Sequence, residues 1–491
     1  MKEPARQSVW SRVGRTVSWG GAKVVLSLIR AIALVPIIIS NTGVSDYGVW
    51  VTSNSIMLLI SLIQTGNYES FTNRYIHAYH SEGIDTAVSF ADATLRKSGK
   101  HALALIAVTL GITLSAQKLS GNIQEYIIAG AILTSGYCVY LYVYRGVLML
   151  KAAEGKLHEV YRMEFGLEAL MTIVLIMCAS MGMAIIELCI AATIVRFCSI
   201  GLVIDRVGRL FSNKEVVRRG ENSHKFEGIQ TATNELRLTY LIDKLGSDGI
   251  NIFLSALVGA SVTAIYATSR QISNAYVTVS TIISSAIIPE VQASHARGER
   301  DMTNRTLNGV SASIGLAAAV VAILGALLIE PLYLRWTGKP SMYNGILIYS
   351  LIASSLFLAA NITYVLYFRG INQKNYMREY ACVKCLILGL AAFTAYRYGI
   401  EYLGAGWLVF EIVIALSIIP LHLGLDNRQT KAQYLEGLIA PSVASTGILA
   451  YAITGSKAPI VGSGAIVILI SIYVAQSLPI SIRKNISRTY S

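Results

Sequence analysis

Charge is what this sequence has least of. Only 14% of its 491 residues are Asp, Glu, Lys or Arg, against about a quarter in soluble domains. With a mean hydropathy of +0.55, that shortage points to a chain built for lipid. A disulfide framework is missing as well. Cys138, Cys178, Cys189, Cys198, Cys382 and Cys385 all fall inside apolar runs, so they read as small buried hydrophobes. Cys382-Val-Lys-Cys385 has the C-x-x-C spacing but neither a βαβ context nor a second ligand pair. His77, His80 and His295 have no metal-ligand partner at suitable spacing, so no metal site is expected. Long polar segments are also lacking. The longest, 65–100 and 205–237, fall short of the about 50 residues that a folded domain needs. Neither a catalytic residue set nor a soluble catalytic domain is legible, and the chain does not read as an enzyme.

What the sequence does have is apolar runs. About 20 residues cross the hydrocarbon core, and on that scale the runs count to about fourteen spans. They cover 17–40, 47–65, 101–117, 126–149, 164–181, 183–204, 238–259, 262–289, 306–329, 342–368, 380–397, 404–423, 437–454 and 461–480. No dyad pattern of an outer-membrane barrel is present, so the expected fold class is an all-α polytopic membrane protein. The tightest connections fall near Met181 and Ala260. Lys2, Arg6, Arg12 and Arg15 precede a run too long for a signal-peptide core, which is read as a retained first span.

The formal net charge of +13 would suggest nucleic acid in a soluble protein. Here its distribution explains it without nucleic acid. With the N-terminus cytoplasmic, alternate loops carry 29 Lys and Arg on that side and 5 on the other. The positive-inside rule then places both termini in the cytoplasm. Seven cations remain within or at the ends of spans: Lys23, Arg30, Arg145, Arg196, Lys244, Arg270 and Lys384. Ionisable groups at such depth face a bundle interior or a water-filled path.

The two halves resemble each other. Val49-Trp50-Val51-Thr52-Ser53-Asn54-Ser55-Ile56 matches Ile265-Tyr266-Ala267-Thr268-Ser269-Arg270-Gln271-Ile272, and the stretch Ala78–Gly83 matches Ala293–Gly298 at nearly the same offset. Six spans per repeat is even, so the repeats are parallel, related by an axis along the membrane normal. The expected organisation is two pseudosymmetric six-helix lobes, 1–230 and 231–432, with two extra helices in 433–491.

The first span ends in Asn41-Thr-Gly-Val-Ser-Asp-Tyr47-Gly48-Val-Trp50 and runs directly into the second. Its counterpart in the second half ends Ala286-Ile-Ile-Pro289-Glu290. With the fourteen-span layout, these residues resemble the polysaccharide-transporter flippases (Wzx type) of the multidrug/oligosaccharidyl-lipid/polysaccharide exporter superfamily. The resemblance covers nearly the whole chain. It implies alternating-access export of an undecaprenyl-pyrophosphate-linked oligosaccharide, such as an O-antigen unit, from the cytoplasmic to the periplasmic leaflet of the bacterial inner membrane. Implied partners are that glycan, membrane lipids, a polysaccharide polymerase and a chain-length regulator.

Such a substrate needs cations for its pyrophosphate and amphipathic rings for its sugars. Lys23, Ser27 and Arg30 share one face of span 1. Lys244, Asp248, Asn251 and Ser255 make a polar stripe on span 7, continued in span 8 by Arg270, Asn274 and Thr281. Tyr137 and Tyr144 lie one heptad apart on span 4, beside Arg145, and suit sugar stacking as well as an interfacial belt. Asp243 and Asp248 either neutralise Lys244 and Arg270 or bind a coupling proton or sodium ion. No other cofactor is implied. Glu168, Glu187, Arg196 and Glu411 read as internal pairs. The rival readings are a multidrug or cation antiporter of the same superfamily, which would favour an acidic cavity, and a membrane polymerase or ligase, which would need a sizeable outer loop. The charge split makes a first prediction: reporter fusions at Asn213, Asn372 and Ser491 read cytoplasmic and one at Lys339 reads outside. An outside signal at Ser491 means an odd span count and breaks the repeat.

Overall fold

The structure is a computed structural model that describes residues 9–65, 122–153, 157–211, 241–242, 244–296, 298–371, 373–423 and 428–477, with isolated positions between 100 and 107. The long described elements are helices. They are α1 (Val9–Asn41), α2 (Val44–Thr65), α3 (Asn122–Ala153), α4 (Leu157–Ser180), α5 (Ile185–Phe211), α6 (Gly249–Leu257) and α7 (Ala260–Ala296). Then follow α8 (Arg300–Thr337), α9 (Gly345–Gly370), α10 (Lys374–Tyr398), α11 (Glu401–Val413), α12 (Ile419–Leu423), α13 (Arg428–Thr454) and α14 (Ala458–Ser477). A π-helical turn, Ile414–Ile418, joins α11 to α12. Thirteen of the fourteen expected spans contain a described helix. The stretch 101–117 lies almost wholly outside the described residues, as do the basic loops 66–99 and 212–240.

Seven described helices are long and apolar enough to cross a membrane by length and composition, among them Ser18–Asn41, Arg300–Thr337 and Gly345–Gly370. Their outward faces are apolar, the reverse of a soluble helix. On α1, Val25, Ile29 and Ile32 are each more than half exposed (54%, 52% and 55%), while Lys23 and Arg30 occupy the opposite face. On α8 the same holds for Val321, Leu324, Leu328 and Leu332. The molecule is an all-α polytopic membrane protein.

Both tight connections are made by glycine in the left-handed region. Gly182 has φ 71° and Gly259 has φ 119°, and each amide donates back into the helix it ends, to Ala179 O at 3.1 Å and Leu254 O at 2.8 Å. A side chain with a Cβ is strained there.

Packing divides the chain into two compact units, Met1–Thr268 with Met377–Ala392, and Ser269–Tyr376 with Phe393–Ser491. The repeat boundaries at 230 and 432 are a separate division, drawn from sequence. In the first unit, α1 packs on α4, α2 on α3, α3 on α5, and α6 on α2. In the second, α9 is the centre, covered by α8, α11 and α13, with α14 against α13 and α8. Almost every α9 side chain from Leu347 to Phe368 is buried, which a helix apolar all round requires.

The second unit satisfies its buried polar groups without charge. Tyr349 donates to Ala326 O at 3.0 Å, Ser445 to Ala353 O at 3.2 Å, and Ser284 and Thr363 share a hydrogen bond of 2.9 Å. Tyr434, brought by α13, donates to Ala415 O at 2.6 Å, a carbonyl inside the π turn. A widened turn releases carbonyls that a regular helix would use itself. Through Tyr434, α13 is tied into the middle of this unit.

In the first unit, Gly48 on α2 touches the start of α7. A Cβ there would lie 2.0 Å from Ala260 O, so one methyl forces the backbones apart. Gly48→Ala is expected to lose about 1–3 kcal/mol and to lower the thermal unfolding midpoint. Gly166→Ala on α4, where a Cβ meets nothing within 4 Å, should leave the midpoint unchanged or slightly raised.

Candidate functional site: ion pairs inside the helices

Charge enters the first unit along one line of side chains. Lys23 and Arg30 stand two turns apart on α1, and Glu164 and Glu168 one turn apart on the facing α4. Lys23 Nζ lies 3.0 Å from Glu164 Oε2 and Arg30 Nη1 lies 2.7 Å from Glu168 Oε1. The i, i+7 and i, i+4 spacings put each pair of like charges on one face, so two helices packed lengthwise satisfy both at once.

The line continues into α3 and α5. Tyr140 donates to Glu164 Oε1 at 3.1 Å, and its ring lies 5.9 Å from that of Tyr137. Over Tyr137 sits the Arg196 guanidinium, 5.1 Å from the ring centre. Arg196 also donates to Leu133 O at 3.3 Å, and its Nη1 lies 3.1 Å from Met57 Sδ. Glu164 is all but inaccessible, its side chain 3% exposed, whereas Lys23 is 34% exposed. Arg30 and Glu168 lie between, at 24% and 19%. Three cations, two carboxylates and two phenols thus form one chain of contacts with one positive charge in excess.

A second polar group in the same unit lies on α6. Lys244 Nζ is 3.5 Å from Asp248 Oδ2, too long for a charge-assisted hydrogen bond. Below it, Asn251 donates to Ser55 on α2 at 2.9 Å, Ser255 shares a short hydrogen bond with Thr52, and Ser255 and Thr263 are 3.0 Å apart.

In the second unit, Arg270 on α7 stacks on Trp407 of α11, 4.6 Å from the ring centre. Glu411, one turn further along α11, is fully buried. Asn274 is exposed.

No family profile and no curated protein sequence matches the chain. Solved structures do. A mutant of the Vibrio cholerae MATE transporter VcmN superposes with a TM-score of 0.51 at 14% identity, over 88% of this chain and 97% of that one. A MATE protein crystallised in the bent conformation gives 0.50 at 14% identity, over 86% and 99%. The chain has the MATE transporter fold. MATE transporters are members of the exporter superfamily that the sequence resembles, so the likeness reaches the superfamily's fold and not its flippase branch.

Of the residues singled out by sequence, the structure joins Lys23, Arg30 and Tyr137 in one neighbourhood and Lys244 with Asp248 in another. Asp243 lies outside the described residues. Tyr144 and Arg145 belong to α3, but their side chains also lie outside them. Glu187 caps α5, accepting from Ala184 N at 2.9 Å. Sequence reasoning passed over Glu164 and Tyr140. The signals were there: Glu164 and Glu168 at i, i+4, and Tyr137 and Tyr140 at i, i+3.

The exposure difference makes the Lys23–Glu164 pair testable. Lys23→Met strands a nearly inaccessible carboxylate and is expected to lose about 3 kcal/mol of stability. The double variant Lys23→Met/Glu164→Gln should recover most of it in a double-mutant cycle read by thermal unfolding.

Proposed function

We propose that the chain is a transporter exporting an anionic, lipid-linked glycan across the cytoplasmic membrane by alternating access, with undecaprenyl pyrophosphate as the carrier. The observation that carries this reading is the positive excess of the chain formed by Lys23, Arg30, Arg196, Glu164 and Glu168. In a low dielectric, a cluster with surplus positive charge attracts anions and repels organic cations. The resemblance of its sequence to polysaccharide-transporter flippases supports the same class.

The residues take distinct parts in this mechanism. Arg196 and Arg270 each rest on an aromatic ring. Stacking leaves the edge of a guanidinium free to present two parallel N–H groups, the geometry that suits phosphate oxygens. Tyr137 and Tyr140 offer flat apolar faces with hydroxyl tips, which suit sugar rings. Lys23 and Arg30, held by their carboxylates, set the local potential. The fold likeness supports a second reading as well, a multidrug antiporter, for which the same cluster would have to tolerate a cationic cargo.

The two readings separate in a strain that lacks this gene and assembles a surface polysaccharide. Wild-type protein is expected to restore surface glycan and to leave drug susceptibility unchanged. Arg196→Gln and Arg270→Ala each remove one charge-assisted contact, worth about 1.5–3 kcal/mol, and should lower export about ten- to a hundredfold. Arg270→Lys should recover part of it. Protein abundance is measured in parallel. Normal export by abundant Arg196→Gln and Arg270→Ala variants rules the cationic mechanism out, and a change in drug susceptibility without surface glycan selects the antiporter.

A further inference from the structure

Asp248 stands at the N-cap of α6 but makes no cap hydrogen bond. An aspartate there ordinarily accepts from a first-turn amide. Here Oδ2 is buried and accepts no hydrogen bond, and the same is true of Asn251 Oδ1, three residues on along the same face. Asn251 is 8% exposed. Its amide nitrogen is already spent on Ser55 Oγ, so the oxygen is what it leaves over. The helix is interrupted at this point, with a turn at Asp248 between residues 244–247 and α6. Interrupted helices are where membrane transporters build ion sites. Lys244 is the only printed ionic partner of this carboxylate, at 3.5 Å, and its own side chain is 41% exposed against 16% for Asp248.

We infer that Asp248, Asn251 and Ser55 form a binding site for a small monovalent cation, sodium in the first instance, and that Lys244 is its built-in competitor. The chemistry follows from the donors. All three present oxygen, the ligand of hard cations. A single carboxylate balances one positive charge, whereas a divalent ion calls for more. Among the described residues no group of three His, Cys, Asp or Glu exists to hold a transition metal. Lys244 meets the carboxylate at ionic rather than hydrogen-bond distance and has solvent to move into, so an ion bound by Asp248 displaces its ammonium group. Cation binding thereby frees one positive charge of the chain for an anionic cargo. Only this last step rests on the flippase reading, because ion binding is measured without any glycan.

The test uses the purified full-length protein in nanodiscs, with sodium chloride replacing choline chloride at constant ionic strength. Wild type should show a saturable rise in unfolding midpoint with sodium and bind radioactive sodium. Asp248→Asn should lose both while keeping the wild-type midpoint in choline. Asn251→Leu should need at least tenfold more sodium. Lys244→Met, which removes the competitor, should bind sodium at about tenfold lower concentration, an outcome that a purely structural salt bridge does not produce. Sodium binding retained by Asp248→Asn, weakened by Lys244→Met, or absent from the wild type overturns the site. So does a midpoint that follows pH and ignores sodium. Should Asp248→Asn fail to fold, the direction of the Lys244→Met shift decides alone.

Discussion

An ionised group inside hydrocarbon must have a partner, and in the first unit that requirement fixes how α1 meets α4. Lys23 with Glu164 and Arg30 with Glu168 are satisfied together only in one register and one rotation of the two helices. Sliding α1 by one residue along α4 would turn both cations away by about 100° and leave both carboxylates stranded. Apolar side chains give no such instruction, because lipid tails are as good a neighbour for Leu as another helix is. The pairs therefore specify more than they stabilise. Their surplus of one cation is what gives the assembly a preference for one sign of cargo.

The second unit meets the same constraint by other means. Its centre, α9, is held to its neighbours by phenols, hydroxyls and backbone carbonyls: Tyr349 to Ala326, Ser445 to Ala353, Tyr434 to Ala415. Neutral hydrogen bonds carry no long-range field, so these contacts fix register without setting a potential. Charge in this unit is confined, among the groups discussed, to Arg270 on its tryptophan and the buried Glu411 on the same helix as that ring. Functional specificity and structural specificity are thus separated by chemistry within one chain.

How much of this was legible depended on which physical rule acts within a segment. Span length and hydropathy are local, so thirteen helices fall where the apolar runs do. The turns at Gly182 and Gly259 follow from glycine at the end of each run. The shared face of Lys23, Ser27 and Arg30 follows from helical spacing. The partners of those cations belong to another helix, and no single-segment pattern names them. Glu164 therefore passed unnoticed at the cytoplasmic edge of its span, where a carboxylate looks hydrated, until packing against α1 left its side chain 3% exposed. Tyr434 is similar. It sits near the start of a helix that the six-span repeat leaves over, and only the π turn at Ile414–Ile418 explains its burial, because that turn supplies the carbonyl it needs.

The same reasoning says why fold and cargo part company here. A backbone shared with MATE transporters at 14% identity shows that the helix arrangement survives replacement of most side chains. It needs apolar outer faces, small residues where backbones touch, and satisfied polar groups inside, and many sequences meet those terms. The sign of the interior charge is not among them. Replacing Arg196 by a neutral donor would keep a hydrogen bond to Leu133 O yet reduce the five-charge cluster from a surplus of one cation to balance. A few interior side chains can therefore turn one scaffold from cationic to anionic cargo without moving a helix. The function of this chain is to be read from Lys23, Arg30, Arg196 and their carboxylates, because those groups, and not the fold that holds them, set what the interior attracts.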